Sequence, residues 1–518
     1  MPMRLNLKQK IVSFLIVIMV LFQLNVFAEA QLEEVKEIIK NYYVENVDDS
    51  KLNVNSVEEL INNLNDPYTA YFTKDEFDSF IGSINQSYVG VGIVVEKCEE
   101  GILITSVLDN SSAKQAGILP GDVIVEINGL SIVDRSLEDA ISLIRGEEGT
   151  YVNLKVKRDN QILSFNLKRL KIELATVKGS LIDGHVGYIN LMSFGENTNS
   201  EFLSVYNNLK SKGADFFILD VRNNGGGFLY TAVEILSNFI GSNTCVVLKD
   251  KYGFQTKVKN DVVPSRLINE RFILLTNGNS ASASEILAAA LKDYNKALII
   301  GNRTFGKGTA QSFFVLSNGD ILKLTTQKFY SPNGNEINKI GVLPHIRIYE
   351  DIDKVALMLT EREPVADKTN YVKLVINGKM YYINLKNDTY FNKLISSINN
   401  CEMYIGVKNY WVKRDLNYYK QKENAFVEVK RDINNKIKEI EKYHTVDAAK
   451  KSNFNTKYGY VAVSKLNFRQ IPKLKGKVLF VLNKGTKFEI LESSMGWYKI
   501  KYNNRIAYVY GKYIKLTK

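Results

Sequence analysis

Three short clusters carry side chains suited to acyl-transfer chemistry. The first is Thr276-Asn277-Gly278-Asn279-Ser280-Ala281-Ser282-Ala283-Ser284-Glu285, where the apolar run Phe272–Thr276 gives way to a helical stretch, Ser284–Tyr294. A hydroxyl at a strand-to-helix turn points to open space, and the free N–H groups of a helix N-terminus favour developing negative charge. Serine also caps helices, and alternating small residues also mark close packing, so this run alone leaves cap, packing and nucleophile open. The second is Thr304-Phe305-Gly306-Lys307-Gly308-Thr309-Ala310-Gln311, just after the buried-type strand Ala297–Ile300. Backbone can approach a lysine between two glycines from both sides. If that lysine is buried, desolvation lowers its pKa and the neutral amine can take a proton from serine. Alone, the cluster reads equally as a loop lysine in a glycine turn. It is no phosphate loop, because no Gly-x-x-x-x-Gly-Lys-Ser/Thr pattern leads into a helix. The third, Arg222-Asn223-Asn224-Gly225-Gly226-Gly227, follows the apolar strand Phe216–Val221 and offers bare N–H groups to an oxyanion.

Other chemistries find little support. The three histidines, His185, His345 and His444, lie after a turn, after Pro344 and in a charged stretch, and none has a nucleophile-elbow or metal-ligand spacing. They read as turn or surface residues, and the lack of His-Glu-x-x-His excludes a zinc protease of that type. Cys98, Cys245 and Cys401 are far apart and odd in number, so they read as small core hydrophobes rather than a disulfide framework. No metal or cofactor is implied.

The elements that must position these clusters alternate strand and helix over residues 171–355, which predicts an α/β domain with parallel pairing. Residues 31–84 read as a polar helical arm, with Leu32, Val35, Ile38 and Ile39 at helical spacing and a break at Asp66-Pro67 before Phe77 and Phe80. So short an arm must pack on a neighbour or on a second subunit, and a homodimer through it is one expectation. Residues 85–170 turn to strands, Ile102–Val107 and Val123–Ile127, closed by Asn128-Gly129, with an amphipathic helix Ser136–Arg145 and the hairpin Val152–Lys157/Ile162–Leu167. Residues 356–455 combine a small β-containing module, with a hairpin at Asn377-Gly378, and a charged helical stretch, Phe426–Lys451, expected to be a solvated linker. Residues 456–518 read as a small barrel of short strands.

Length and composition set the frame. A chain of 518 residues exceeds one ordinary domain, and 45% hydrophobic with 24% charged residues is globular. The net charge of +12 favours anionic surroundings such as a membrane surface or wall polymer. No nucleic-acid-binding motif accompanies it, so nucleic acid is not an expected partner. Residues 1–30 have the form of a secretory signal: Arg4, Lys8 and Lys10, then the apolar run Ile11–Phe22, then Ala28-Glu29-Ala30. The run is short for a membrane span, though an uncleaved anchor is the second reading. The expected location is extracytoplasmic, at the cell wall or membrane.

Together, Leu219-Asp220-Val221-Arg222-Asn223-Asn224-Gly225-Gly226-Gly227, Ser280–Glu285 and Phe305-Gly306-Lys307-Gly308-Thr309 resemble the C-terminal processing peptidases, or tail-specific proteases. The resemblance runs in order from about residue 31 to 350 and includes Asp66-Pro67-Tyr68-Thr69-Ala70-Tyr71-Phe72. It implies a multidomain α/β chain with a crotonase-like (ClpP/crotonase-type) core and an inserted PDZ domain. Its nucleophile falls on Ser282, its general base on Lys307 and a supporting polar residue on Gln311. Oxyanion donors fall on Ala283 and on Gly226 or Gly227, and Asp293 takes a supporting structural place. His345 departs from the pattern, since many relatives carry Asp there. Tyr88-Val89-Gly90-Val91-Gly92-Ile93 is similar to a PDZ carboxylate-binding loop, which captures a protein C-terminus as an added strand. Leu119-Pro120-Gly121-Asp122 with Asn128-Gly129 is a further PDZ feature, and Arg145 is the expected sensor of the bound tail. Leu466-Asn467-Phe468-Arg469, Lys484-Gly485-Thr486, Gly496-Trp497-Tyr498 and Tyr508-Val509 resemble a bacterial SH3-type barrel, which implies binding to cell-wall peptide or peptidoglycan. The function expected is thus an exported serine endopeptidase acting through a Ser–Lys dyad. The competing readings are a non-catalytic wall-tethered peptide-binding scaffold and another hydrolase or lyase on the same core.

Overall fold

Phe216–Asp220 and Ala297–Gly301 are buried at every position, as strands covered on both faces must be. In the computed structural model, which describes residues 29–262, 264–451, 458–494 and 496–517, both lie inside one six-stranded sheet. Its order is Val177–Ile182, Val186–Leu191, Phe216–Asp220, Arg271–Thr276, Ala297–Gly301, Ile346–Arg347. The first pair is antiparallel and every later pair is parallel. Parallel neighbours need crossovers, and the helices Thr198–Ser211, Leu229–Ile240 and Ala283–Asp293 lie in the three successive connections. They seal one face of the sheet with Phe202, Tyr206, Phe239 and Leu287, which pack with Phe217 and Phe272 in one buried cluster. The Phe217 and Phe272 rings stack at 5.1 Å, and Phe239 meets Phe272 edge-on at 5.0 Å. Each such ring contributes roughly 1.5–3 kcal/mol by burial.

A second sheet runs Ala70–Phe72, Ile321–Tyr330, Val246–Asp250, Gln255–Val258, with Thr309–Val315 also paired to Ile321–Tyr330. Through it the N-terminal arm joins the core. Helical residues 29–42 and the helix Val57–Leu64 bury Leu32, Val35, Ile39, Leu60 and Leu64 against Leu316, Leu322 and Leu324. The arm's apolar stripe is thus spent on a neighbour within the chain, and dimerisation is not required to bury it. The signal-type segment lies, apart from its last two residues, outside the described residues. No helix among the described residues is long and apolar enough to cross a membrane.

Residues between the arm and the core form the expected strand-rich domain. Its sheet order is Ile93–Cys98, Gly101–Val107, Val123–Ile127, Tyr151–Arg158, Gln161–Lys168, so Ile93–Cys98 is an edge strand. The chain enters and leaves this domain through one antiparallel pair, Ser87–Gly90 with Leu170–Glu173. The helix Leu137–Ile144 buries Ala140 and Ile144 in a core that also holds Ile102, Ile124, Val152 and Leu154.

The chain divides into two units, the second comprising Glu361–Ser396 and Asn400–Lys518. This second unit contains a four-stranded antiparallel sheet ordered Lys379–Asn384, Tyr371–Ile376, Cys401–Val407, Tyr410–Arg414. The charged stretch expected to be a solvated linker is instead, at its start, part of this module. In the helix Ala425–Lys451, Val429 and Ile433 are buried one turn apart, and Asp432 pairs with Arg414 at 2.5 Å. Apolar residues one turn apart give a helix the narrow stripe by which it docks. The C-terminal strands form a seven-stranded sheet around Phe468, Phe488, Ile500 and Val509. All three cysteines are free, and burial pushes the Cys245 and Cys401 thiols up to about 11, away from reactivity.

Candidate active site

The three serines of the first cluster have separate fates. Ser280 is buried and its Oγ donates to Val221 O at 2.8 Å; Ser284 is buried and its Oγ donates to Asn224 O at 2.9 Å. Both fasten the serine run to the glycine turn. Ser282 alone lines a cavity of about 620 Å³. It sits immediately before the helix Ala283–Asp293 with φ 56° and ψ −115°, a conformation that costs a non-glycine residue roughly 1–3 kcal/mol and recurs at functional sites.

The glycine turn is held by a residue that sequence reading gave no role, Asn224. It is fully buried, its Nδ2 donates to Leu191 O at 2.8 Å, and its carbonyl accepts from Ala281 N at 3.0 Å. Its Oδ1 accepts the N–H of Gly226 at 2.9 Å. Gly226 has φ 107°, and a Cβ there would come within 2.8 Å of the Ser282 Cβ. Gly227 has φ 145°, and its Cβ would meet Phe194 O at 2.5 Å. Of the expected oxyanion donors, Gly226 N–H is therefore engaged by Asn224. Among the described residues the N–H groups of Gly227 and Ala283 have no hydrogen-bond partner.

The lysine loop is built as its flanking glycines imply. A Cβ on Gly308 would lie 2.2 Å from Asn338 N, and one on Gly306, at φ 96°, would lie 3.1 Å from the Lys339 carbonyl carbon. Lys307 lines the cavity with Ser282, and its Nζ lies 4.5 Å from the centroid of the Tyr68 ring. Burial pushes its pKa down to about 8, with a further push from Lys323, against the opposing pull of Asp66 and Glu285. Among the described residues its Nζ donates no hydrogen bond, to Ser282 or to any other group.

Glu285 is the second residue that sequence reading left without a role. It is fully buried, and its carboxylate accepts four hydrogen bonds: Thr304 Oγ1 (2.6 Å) and Gly306 N (2.7 Å) at Oε1, Ser282 N (2.9 Å) and Lys307 N (2.8 Å) at Oε2. Burial raises its pKa while all four donors pull it back down. The available signal was the Ser-x-x-Glu spacing of a capping box, Ser282 to Glu285.

Gln311 lines the same cavity, but its amide donates to Thr309 Oγ1 and Thr325 Oγ1, both at 3.3 Å, rather than meeting Lys307. A β-bulge between Ala310 and Gln311 shifts the register at this point, a device that re-aims side chains beside active sites. Asp293 Oδ2 accepts Asn333 N at 2.9 Å and ties the helix end to the loop beyond Tyr330. His345 Nδ1 accepts Ile299 N at 2.9 Å, a structural bond at the sheet edge. His185 bonds to the carbonyls of Asp183 and Thr360, and the His444 side chain lies outside the described residues.

None of residues 89–93 lines the cavity that holds Ser282 and Lys307, nor does Arg145. In that loop Val91 O accepts Ala113 N at 3.1 Å, and Gly92, at φ 81°, packs so closely that a Cβ would come within 2.2 Å of the Ser111 Cβ. Ile93 then opens the edge strand, whose free side can take an added strand. Arg145 is exposed, with its guanidinium 5.2 Å from the Tyr88 ring centroid.

Residues 185–348 match the model of peptidase family S41, residues 103–158 a PDZ domain and 464–515 a bacterial SH3 domain. Residues 24–76 match the activating protease CtpB N-terminal domain. The chain is 34% identical over 380 residues to the carboxy-terminal processing protease CtpB of Bacillus subtilis (strain 168), an alignment spanning 70% of this chain and 77% of that protein. The chain belongs to peptidase family S41. It is also 32% identical over 378 residues to a probable CtpA-like serine protease of Staphylococcus haemolyticus (strain JCSC1435), covering 71% of this chain and 76% of that one. Among solved structures, a photosystem II D1 C-terminal processing protease is 26% identical and covers 63% of this chain and 93% of its own, with a TM-score of 0.40. As an S41 peptidase the chain is a serine protease, with the PDZ and bacterial SH3 domains that its sequence led one to expect.

Proposed function

We propose that this S41 peptidase is an exported endopeptidase that recognises protein C-terminal tails through its PDZ domain and cuts peptide bonds with Ser282 and Lys307. The observation that carries the reading is that Ser282 and Lys307 share one cavity in which burial has driven the lysine toward its neutral form. In the proposed cycle the neutral Lys307 amine takes the Ser282 Oγ proton as Oγ attacks the substrate carbonyl carbon. The N–H groups of Ala283 and Gly227 hold the oxyanion, while Gly226, already bonded to Asn224, keeps the turn against Ser282. The Lys307 ammonium then gives its proton to the departing amine, leaving an ester on Ser282. Water, deprotonated by the same amine, attacks the ester; the carboxylate leaves and the Lys307 ammonium returns its proton to Ser282 Oγ. Gln311 supports Lys307 once the base turns from Tyr68 toward Ser282, and Asp293 supports the helix behind the nucleophile.

The core is read as crotonase-type, from its parallel sheet with helical crossovers and the second sheet flanking the cavity. The tail docks as a strand along Ile93–Cys98 with its carboxylate at the loop Val89–Ile93, and Arg145 senses its arrival. The relatives' names, carboxy-terminal processing protease among them, support this substrate class. Export is supported by the signal-type segment, and a wall ligand for the barrel by the match to a bacterial SH3 domain. In that barrel Trp497, Tyr510 and Tyr513 line a groove of about 400 Å³ with the cations Lys465 and Arg469. The test is cleavage of an unfolded reporter with an apolar C-terminal tail by wild type, Ser282→Ala and Lys307→Ala. Cutting by wild type alone supports the reading; cutting by either variant at wild-type rate ends it.

A further inference from the structure

The proposed cycle gives no task to Lys323, yet its side chain lines the same cavity as Ser282 and Lys307. Lys323 faces Ala70 across the antiparallel pair that joins the arm to the second sheet. Its Nζ lies 4.6 Å from the Phe80 ring centroid and 5.3 Å from that of Phe72. Among the described residues it makes no ion pair and no hydrogen bond. Lys307, the more deeply buried of the two, rests in the same way on Tyr68. The three rings come from one stretch of the arm, residues 68–80, so this segment supports two ammonium groups in one cavity without supplying either with an anion.

That arrangement suits a base. A carboxylate paired with a lysine fixes its proton, whereas a ring face holds the side chain at a much smaller bias toward the charged form. The titratable and charged groups that face Lys307 are Tyr68 and Asp66 of the arm, Glu285 of the helix after Ser282, and Lys323 of the second sheet. The two acids are already occupied: Asp66 accepts from Tyr68 N (3.0 Å) and Thr69 Oγ1 (2.7 Å), and Glu285 from its four donors. Lys323 is the one cation in the set. A like charge held in a partly desolvated cavity disfavours a second proton nearby, and a cationic neighbour is a known way to activate a lysine.

We propose that Lys323 is a positioning residue that acts through charge, its ammonium raising the share of Lys307 that is neutral and able to take the Ser282 proton. The proposal rests on the Ser282–Lys307 reading above. An acidic substrate side chain docking on Lys323 is the other use of such a cation, and the test separates the two.

The experiment is the pH dependence of kcat/KM for the full chain between pH 6 and 10, with a neutral peptide reporter and its Glu-bearing counterpart. Wild type is compared with Lys323→Met, Lys323→Arg and Lys307→Ala. With Lys323→Met the rising limb moves upward by about one unit, giving roughly tenfold loss at pH 7 and near-complete recovery at pH 10 on both reporters. Lys323→Arg, which keeps the cation, retains the wild-type limb. Should Lys323→Met be insoluble, Lys323→Gln replaces it with the same expectation. The proposal is overturned by an unmoved limb, by equal loss at every pH, or by loss confined to the Glu-bearing reporter. Activity in Lys307→Ala would instead overturn the dyad itself, whatever the Lys323 variants do.

Discussion

Ser282 and Lys307 donate their backbone N–H groups to a single oxygen, Oε2 of Glu285, at 2.9 and 2.8 Å. The two residues come from different loops, after the strands Arg271–Thr276 and Ala297–Gly301. Parallel pairing sets these strands side by side, and the carboxylate fixes the distance between the loops that follow them. Its other oxygen holds Thr304 and Gly306 and fastens the second loop again upstream of Lys307.

Glu285→Gln is therefore predicted to damage both stability and catalysis. The amide can accept at its oxygen, but its NH2 group faces two donors with nothing to offer them. A buried network broken in this way costs about 2–4 kcal/mol. The loosened loops are expected to cost kcat at least a hundredfold, since catalysis is sensitive to misplacement of about 1 Å. Thermal unfolding and reporter turnover on the same sample check both. A variant within threefold of wild type would show that Glu285 is not the fastening.

Lys307 should trade stability for activity. Its pKa in the folded chain is about 8 against an ordinary 10.5, so below pH 8 both folded and unfolded chains carry the proton and the folded chain bears the full burial cost. Between about pH 8 and 10.5 the unfolded chain binds more protons than the folded one, and stability rises with pH. Lys307→Met removes the cost: it is predicted to gain about 2–3 kcal/mol at pH 7, with the gain shrinking above pH 8. It should also abolish cleavage. Denaturant midpoints at pH 7 and pH 10 read the effect; a variant no more stable than wild type at pH 7 would contradict it.

Gly225 and Gly226 offer a contrast within one turn. A Cβ on Gly225 meets nothing within 4 Å, whereas on Gly226 it lies 2.8 Å from the Ser282 Cβ and 2.9 Å from Ala281 O, at φ 107°. Gly225→Ala is predicted to fold normally and keep turnover within about threefold, since its Cβ would reach no neighbouring atom although the residue borders the cavity. Gly226→Ala is predicted to lose at least a hundredfold in kcat, because the glycine turn and the serine run cannot both stay in place. Equal behaviour of the two variants would refute the geometry.

The sequence pattern made much of this legible. Phe216–Leu219 and Ala297–Gly301 read as buried strands because every residue in them is apolar or small. The glycines around Lys307 signalled close backbone approach, which Asn338 and Lys339 supply. What stayed hidden depends on contacts distant in sequence. Only the folded turn shows that Ser280 and Ser284 bond to Val221 and Asn224 and leave Ser282 for the cavity. Nothing in the local pattern marks Tyr68 or Lys323 as neighbours of Lys307, because the pairing of Ala70–Phe72 with Ile321–Tyr330 brings them there. The helix Ala425–Lys451 misled as a linker because its charges outnumber its few buried residues, Ala425, Val429 and Ile433.

Arg145 is the proposed sensor of the bound tail. It follows the helix Leu137–Ile144, and its guanidinium lies over Tyr88, the residue just before the loop Val89–Ile93. A tail seated in that loop brings a carboxylate close to this exposed cation, which can leave the ring for it because a bidentate charge pair outweighs a cation–π contact of about 0.5–1 kcal/mol. The readout is the rate ratio between a reporter with a free C-terminal carboxylate and the same reporter amidated at that end. Wild type is expected to show a ratio well above one, and Arg145→Ala a ratio close to one. Tyr88→Leu, which removes the ring but keeps the cation, should preserve or raise the ratio. A ratio in Arg145→Ala equal to that of wild type would leave the sensing role without support.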